Sequence, residues 1–340
     1  MPSPLPRAQV RPILVASLLA MLPVVAAAQQ PRRQRSFRFD YHTVVHFPAG
    51  TRQVRVWIPV AQSNAHQQVR VLAIHAPGPY RLTRSRNGDN MLYAELRRPA
   101  GDSAAFDLRY QVRRRLYRVG DFQQLLRLPA DPPGDALSAA QRAYYLRANR
   151  LVPVTGTLQR LAAQVTRGAQ GRVAKAHAIY LYIFHTLRYD KSGTGWGHGN
   201  AMWACDHKRG NCTDFHSLFL SMARSQGIPS RFVIGFPIPR SAHAGAVEGY
   251  HCWAEFYVAG RGWVPLDIAM AWLNKPRANF YFGAVDASRV RFSAGRDLTL
   301  APPQAGPPVN YFVYPYVEVD GRPDRNVTNH FSFRDTVATP

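Results

Sequence analysis

One segment constrains the fold of this chain most, because it places a cysteine at the start of a buried helix. The segment Gly210–Arg231 reads GNCTDFHSLFLSMARSQGIPSR. Asn211 can cap a helix, whereas Gly227 and Pro229 end one, since glycine supplies a left-handed exit and proline cannot continue the helix. Apolar residues at helical spacing predict one buried face of this helix: Phe215, Leu218, Phe219 and Met222.

Cys212 therefore falls in the first turn of the predicted helix. Unpaired backbone N–H groups and the helix dipole stabilise a negative charge there. The thiol at this position tends toward the thiolate, which is the form that attacks carbon. A lone cysteine is as often an inert core residue, so its position alone leaves both interpretations open.

A predicted hairpin downstream carries a histidine and an aspartate. Residues 249–258 read GYHCWAEFYV and alternate as a strand does, which puts His251 and Cys252 on opposite faces. A Gly-Arg-Gly turn leads into WVPLD, which ends at Asp267. Together with Cys212 these residues form a nucleophile, a base and an orienting acid, because the imidazole accepts the thiol proton and the carboxylate fixes its tautomer.

These three blocks, in this order and at this spacing, resemble the transglutaminase-like superfamily. The resemblance covers roughly residues 150 to 285, a little under half of the chain. It implies a papain-like fold in which a helix carrying the cysteine packs on an antiparallel sheet carrying the other two residues. It also implies that Cys212 is the nucleophile, His251 the base and Asp267 the orienting acid. The alternative is a degenerate copy of the family that has been kept as a binding module.

The oxyanion of an acyl-transfer reaction needs two hydrogen-bond donors near the attacked carbon. The Cys212 backbone N–H is the natural first donor, and the second is expected from the approaching loop. Three residues remain equal candidates for it: Trp203, His207 and Asn211. The glycine-rich loop at residues 193–199 lacks the lysine and spacing of a phosphate loop, so it is interpreted as a wall of the cleft.

The predicted fold class is α+β, with an N-terminal antiparallel β-sandwich before the transglutaminase-like core. Residues 36–128 contain short alternating segments separated by Gly, Pro and Asn turns, which is typical of a sandwich. Residues 129–137 are predicted to be a linker and residues 138–340 the catalytic domain with C-terminal strands. Within that domain the aromatic segments 279–283 and 310–316 are expected to be closing strands.

The N-terminus predicts export. Basic residues precede an apolar run at residues 13–28, and Ala26–Ala28 forms a small-residue cleavage site before Gln29. Residues 1–28 are therefore interpreted as a signal peptide and residues 29–35 as a flexible basic tail, which indicates a periplasmic or secreted protein. An uncleaved membrane anchor is the alternative to cleavage.

The formal net charge of +23 is carried almost entirely by arginine. Such a charge fits nucleic acid, an anionic envelope surface or an acidic substrate. The arginines are scattered rather than grouped on an aromatic platform, and export argues against nucleic acid. Compositional bias is favoured over a functional anionic partner, although contact with an anionic envelope surface stays open. A protein or peptide substrate is expected, and the oligomeric state is left open.

No cofactor and no metal are expected. Five residues could serve as zinc ligands, but their spacing matches no zinc motif, and acidic ligand sets for calcium are not evident. These residues are Cys205, His207, Cys212, His251 and Cys252. An odd number of cysteines leaves one unpaired. Cys212 is expected to stay free, with a Cys205–Cys252 disulfide as the alternative to three free thiols.

The predicted function is that of an exported cysteine-dependent acyl-transfer enzyme. It is expected to cleave peptide or glutamine amide bonds through a Cys-His-Asp triad and a thioester intermediate. Hydrolysis is favoured over transfer to an amine, since water is always present and no acceptor-lysine site is recognisable. The alternatives are a protein-crosslinking transglutaminase and a noncatalytic envelope-binding module.

Overall fold

The computed structural model describes residues 32–127 and 137–337, and all elements given below lie within these ranges. The predicted signal peptide and residues 129–136 of the predicted linker lie outside the described residues. The strands are β1 (Gln34–His46), β2 (Gln53–Val60), β3 (Gln67–His75), β4 (Tyr80–Arg84), β5 (Asn90–Arg97), β6 (Ser103–Arg115), β7 (Tyr117–Arg118), β8 (Arg188–Tyr189), β9 (Arg209–Gly210), β10 (Ser230–Pro237), β11 (Ala244–Ala246), β12 (His251–Val258), β13 (Gly262–Leu266), β14 (Ala284–Val285), β15 (Arg289–Ala294), β16 (Tyr316–Val319), β17 (Arg322–Asp324) and β18 (Val327–Asp335). The helices are α1 (Phe122–Leu126), α2 (Ala139–Leu146), α3 (Thr157–Val165), α4 (Gly171–Thr186), α5 (Ala201–His207), α6 (Cys212–Ser225) and α7 (Ile268–Leu273), with a 3₁₀ helix at Lys275–Tyr281.

Two antiparallel sheets face each other around an aromatic core. One has the strand order β11-β18-β1-β6-β3 and the other the order β17-β16-β2-β5-β4. Alternate residues of β1, such as Phe37 and Phe39, are fully buried and share one core with Val54 and Val56 of β2. The alternating patterns therefore form half-buried strands, as predicted. The α+β class with an N-terminal sheet-rich region is confirmed.

The C-terminal strands complete these two sheets. Strand β18 pairs with β1 from Phe37↔Asp335 to Val45↔Val327, and β16 pairs with β2. Segments on either side of the predicted linker thus contribute to the same sheets. The domain boundaries at residues 128 and 138 stay a prediction.

The predicted flexible tail at residues 29–35 is wrong at its C-terminal end. Gln34 already begins β1, and Arg35 is buried. The Arg35 Nε lies 2.8 Å from the Asp335 Oδ1, and its Nη1 and Nη2 donate to the backbone carbonyls of Pro239 and Ala242. These partners come from distant segments, so the basic run alone could not reveal them.

A further sheet has four strands, and helix α6 packs against it. This sheet has the antiparallel order β13-β12-β10-β15. Phe219 of α6 packs in one core with Phe256 of β12 and with apolar residues of α3 and α4, including Leu158 and Ile179. The helix carrying the cysteine therefore packs on the sheet that carries the histidine.

Helix α6 is buried on all sides from Cys212 to Arg224, whereas the sequence predicts only one buried face. The polar side chains of α6 can be buried because they form hydrogen bonds with other segments of the chain. Ser221 donates to the Pro153 carbonyl, and Ser217 accepts from Arg296.

The closing strands predicted at residues 279–283 and 310–316 are wrong over most of their length. Residues 275–281 form the 3₁₀ helix, and β16 begins only at Tyr316. Tyr281, Phe282 and Phe312 are nevertheless buried. Phe282 forms only an isolated antiparallel bridge with Leu266, so the aromatic side chains of this segment fill the core without a continuous strand.

Among the described residues no helix is both long enough and apolar enough to cross a membrane.

Candidate active site

The start of α6 is fixed by reciprocal capping. The Asn211 side chain accepts a hydrogen bond from the Thr213 N–H at 2.8 Å, and the Asp214 carboxylate accepts one from the Asn211 N–H at 2.9 Å. This pairing satisfies donors that every helix start leaves unpaired. Cys212 is thereby held at the first helical position, as its sequence context predicts, and is 2% exposed.

The hairpin brings the histidine and the aspartate together. His251 is the first residue of β12, and Asp267 directly follows β13, the strand paired with β12. The His251 Nε2 lies 2.8 Å from the Asp267 Oδ2, and the other Asp267 oxygen caps α7 by accepting from the Met270 N–H at 3.0 Å. The Cys212 sulfur also interacts with the imidazole and raises its pKa. The structure therefore brings Cys212, His251 and Asp267 together, while their catalytic roles stay a prediction.

The surroundings of Cys212 and His251 favour a negative charge on the sulfur and a positive charge on the imidazole. Burial alone would raise the pKa of the Cys212 thiol, but hydrogen bonds from Cys252 and His251 and the imidazolium charge bring it well below its usual value. Burial lowers the pKa of His251, but the Asp267 carboxylate outweighs this effect and raises it to about 9. The lowered pKa of Cys212 and the raised pKa of His251 both favour the thiolate and imidazolium forms.

Arg289 is a further member of this charged cluster that the sequence analysis missed. Its Nη1 lies 2.9 Å from the Asp267 Oδ2 and its Nη2 lies 3.0 Å from the Asp286 Oδ2. Burial would raise the pKa of Asp267, but His251 and Arg289 hold it far below its usual value. Arg289 lies on β15 outside the three sequence blocks, so no local motif could have identified it.

His216 is a second residue that the sequence analysis missed. Its Nε2 accepts a hydrogen bond from the Ile268 N–H at 3.0 Å, which ties α6 to the start of α7 just after Asp267. Burial lowers the pKa of His216 to about 4, so the ring is neutral. Its spacing of four residues from Cys212 on one helix was the available signal.

The three candidates for a second oxyanion donor do not converge on the sulfur. Trp203 stacks on His207 with ring centroids 4.6 Å apart, and neither hydrogen-bonds Cys212 or His251 within the described ranges. The Asn211 side chain donates to the Tyr250 hydroxyl at 3.1 Å. The Cys212 backbone instead interacts with the Tyr189 hydroxyl, which the sequence did not predict.

The glycine-rich loop lies against the start of α6. The Asp214 carboxylate accepts hydrogen bonds from the Gly197 N–H at 2.7 Å and from the Gly199 N–H at 3.0 Å. Gly199 has φ +64°, and a Cβ there would lie 2.7 Å from the Ser217 Oγ, so only glycine fits. The Tyr250 hydroxyl lies 2.8 Å from the Thr213 Oγ1 beside this loop. These contacts hold the glycine-rich loop against the first turn of α6, which carries Cys212.

All three cysteines are free, so the alternative Cys205–Cys252 disulfide is not formed. Cys252 is fully buried, and its Sγ lies 3.5 Å from the His216 Nδ1. Within residues 32–127 and 137–337 no group of His, Cys, Asp or Glu side chains is arranged to hold a metal ion.

Part of this chain is similar in sequence to a known superfamily. The sequence model of the Transglutaminase-like superfamily matches residues 159–268, a range that contains Cys212, His251 and Asp267. The resemblance to this superfamily is thereby confirmed. An uncharacterized protein of Haemophilus influenzae is 28% identical over 327 residues, which cover 84% of this chain and 86% of that protein. An uncharacterized protein of Mycobacterium leprae is 36% identical over 98 residues, which cover 26% of this chain and 35% of that protein.

A solved structure shares the architecture over nearly the whole chain. A candidate cysteine protease from Cytophaga hutchinsonii superposes with a TM-score of 0.58 at 17% identity, covering 90% of this chain and 94% of that chain. At this identity the likeness concerns the fold.

Proposed function

Residues 159–268 form a transglutaminase-like core, and from this we propose that the protein is an exported cysteine-dependent acyl-transfer enzyme that cleaves peptide or glutamine amide bonds. One observation carries the proposal. The Cys212 sulfur, at the start of a helix, interacts with the His251 imidazole, whose Nε2 lies 2.8 Å from the buried Asp267 carboxylate. A nucleophile, a base and an orienting acid in this arrangement perform covalent acyl transfer on several unrelated folds.

The proposed reaction has two halves. The Cys212 thiolate attacks the amide carbonyl carbon, and the His251 imidazolium donates its proton to the nitrogen as the C–N bond breaks. This leaves a thioester and releases an amine. The now neutral imidazole takes a proton from water, whose oxygen attacks the thioester carbon, and the C–S bond breaks to release the acid. Asp267 holds the ring and stabilises the imidazolium in both halves.

The Cys212 N–H is the first proposed oxyanion donor. The Tyr189 hydroxyl adjoins it and is kept neutral, because burial raises the pKa of Tyr189 well above its usual value. A neutral phenol can turn its O–H toward an oxyanion. Tyr189 is therefore the proposed second donor, in place of Trp203, His207 and Asn211.

The proposed substrate is a protein or peptide, and the proposal involves no cofactor and no nucleic acid. Hydrolysis is the proposed outcome. The proposed location is the periplasm or the exterior of the cell, based on the apolar run at residues 13–28 and its small-residue end. Mass spectrometry of the mature protein from the native host should give an N-terminus at Gln29, whereas a retained N-terminus would contradict cleavage.

Intact-mass spectrometry with a mixture of peptides tests the chemistry. The wild type should accumulate an acyl adduct on Cys212 during rapid quenching and release peptide acids. The matched control Cys205→Ser should behave as the wild type, because Cys205 lies in α5 outside the hydrogen-bonded cluster. An adduct that persists in Cys212→Ser would overturn the proposal. Added primary amine gives an amide product only if transfer competes with hydrolysis, which would favour a crosslinking enzyme.

A further inference from the structure

A second charged site lies at the opposite end of α6. The Cα atoms of Cys212 and Arg224 are separated by roughly 18 Å along the helix axis. A cavity of about 40 Å³ adjoins Arg224, and most of its charged lining is guanidinium. The arginines that line it are Arg147, Arg224, Arg231, Arg291 and Arg296.

Two of these arginines are buried against neutral oxygens. Arg224 donates to the Ser230 carbonyl at 2.9 Å and to the Asn149 Oδ1 at 2.6 Å. Arg296 donates to the Asn310 carbonyl at 3.0 Å, and its guanidinium stacks on a phenyl ring. Neither forms an ion pair with a described carboxylate. Their positive charges are therefore solvated by dipoles but not neutralised.

Two further arginines have donors to spare. Arg291 makes no ion pair with any described carboxylate, and its Nε is buried without a hydrogen-bond partner. Arg147 is exposed, stacks over the Tyr144 ring at 4.1 Å and donates from Nη2 to the Arg296 carbonyl at 3.4 Å. A guanidinium has five N–H donors, so most of the donors of both residues are available to a ligand.

The acidic groups near the cavity are too few to balance these charges. Glu255 pairs with Arg231, with Oε2 and Nη2 2.5 Å apart. The buried Asp89 accepts from the Ala294 N–H, and burial raises its pKa to about 6. Asp297 accepts from a backbone N–H at 2.7 Å. Three carboxylates face five guanidinium groups, so a positive surplus remains.

We propose that this cavity binds an oxyanion, that is a phosphate or carboxylate group, at a site separate from Cys212. Guanidinium groups bind both classes through paired N–H donors. The cavity has room for roughly three water molecules, which suits one small oxyanion or the charged end of a larger ligand. Because the proposal rests on charge and not on the thiol, it does not depend on the proposed catalytic function.

Calorimetric titration of the full chain with inorganic phosphate, and separately with acetate, tests this site at constant ionic strength set with chloride. The wild type should bind one of the two anions saturably at a single site. Arg291→Gln should weaken that binding roughly tenfold or more, since a charge-assisted hydrogen bond is lost. Arg147→Gln, at an exposed residue, provides a second test should Arg291→Gln fail to fold.

Arg70→Gln is the matched control, because Arg70 is exposed on β3 and the substitution removes the same net charge. It should bind as the wild type does. Phosphate binding alone identifies a phosphate site, and acetate binding identifies one that also accepts carboxylates. Binding of neither anion, or equal weakening by Arg70→Gln and Arg291→Gln, would overturn the proposal.

Discussion

At its N-terminal end helix α6 adjoins the ion-paired cluster of His251, Asp267 and Arg289, whereas at its C-terminal end the Arg224 guanidinium meets neutral oxygens. Arg289 bridges the carboxylates of Asp267 and Asp286, and Asp267 also holds His251. Around Arg224 the partners are backbone carbonyls and the Asn149 amide. The positive end of the helix dipole faces the Cys212 sulfur, and its negative end faces the arginines.

The contrast shows that the number of arginines says little about their role. The whole chain is strongly basic, and a bias in composition is favoured over an anionic partner as the explanation. What separates the two regions is pairing, because a buried ion pair needs no ligand, whereas a buried charge without a counter-charge favours binding of one. The predictions below test this difference, from the largest expected effect to the smallest.

Loss of the sulfur should have the largest effect. Cys212→Ser should lower the rate of amide cleavage by roughly 10⁴-fold or more, since the nucleophile acts as one unit with its base. The measurement is the rate of peptide acid release, with Cys205→Ser as the control that retains its rate. Equal rates in Cys212→Ser and Cys205→Ser would show that the ion-paired cluster around Cys212 does not carry out amide cleavage.

A matched pair of arginines on β15 compares the two regions directly. Arg289→Gln removes the partner of two buried carboxylates and should lower the free energy of unfolding by about 3–5 kcal/mol. Arg291→Gln, two residues along, removes a charge without a carboxylate partner and should change it by less than about 1 kcal/mol in anion-free buffer. Urea unfolding followed by circular dichroism measures both variants. Equal losses of unfolding free energy in the two variants would contradict the difference in ion pairing between Arg289 and Arg291.

Much of this architecture follows from local sequence pattern. The period-two alternation of β1 and β2 and the capped segment at Asn211 are short-range signals, and they predict strands and a helix correctly. The aromatic segment before Gly283 predicts a strand wrongly, because burial alone does not distinguish a strand from an irregular core segment. Strand β18 pairs with β1 across nearly the whole chain, which no local pattern can reveal.

The residues of the candidate site also fall into two groups, those with a local sequence signal and those without one. Cys212, His251 and Asp267 each have a local context that marks them, so the sequence predicts their convergence. Arg289 and Tyr189 have no such context, because their contacts with the site arise only from sheet pairing and helix packing. Residues that hold or adjust a site through long-range contacts are therefore the ones that sequence reasoning misses.

Tyr189 offers a smaller test of the N-terminal end. Tyr189→Phe removes the hydroxyl beside the Cys212 N–H and keeps the ring, which packs near Phe215. Loss of one oxyanion donor should lower kcat by roughly 10²-fold with little change in KM. Steady-state kinetics measures the two constants. Tyr182→Phe on α4 is the control, and a loss in KM alone would assign Tyr189 to substrate binding.

His216 gives the smallest predicted effect and concerns protons at the same end of the helix. Burial lowers the pKa of His216 to about 4 from 6.5, so the folded state disfavours a proton that the unfolded state binds. Its contribution to stability is therefore present above pH 6.5 and lost as the pH falls toward 4. Between pH 7 and pH 5 the loss is about 2 kcal/mol.

Urea unfolding at both pH values, for the wild type and His216→Gln, isolates this contribution. Glutamine keeps a hydrogen-bonding group but does not titrate. The loss of unfolding free energy between pH 7 and pH 5 should therefore be smaller in His216→Gln by about 2 kcal/mol. His66 and His177 also have a pKa lowered to about 4 by burial, and they serve as an internal control because they titrate equally in both proteins. An identical pH dependence in the two proteins would show that folding leaves the pKa of His216 unshifted. Burial of this ring beside Asp267 would then not disfavour its charged form.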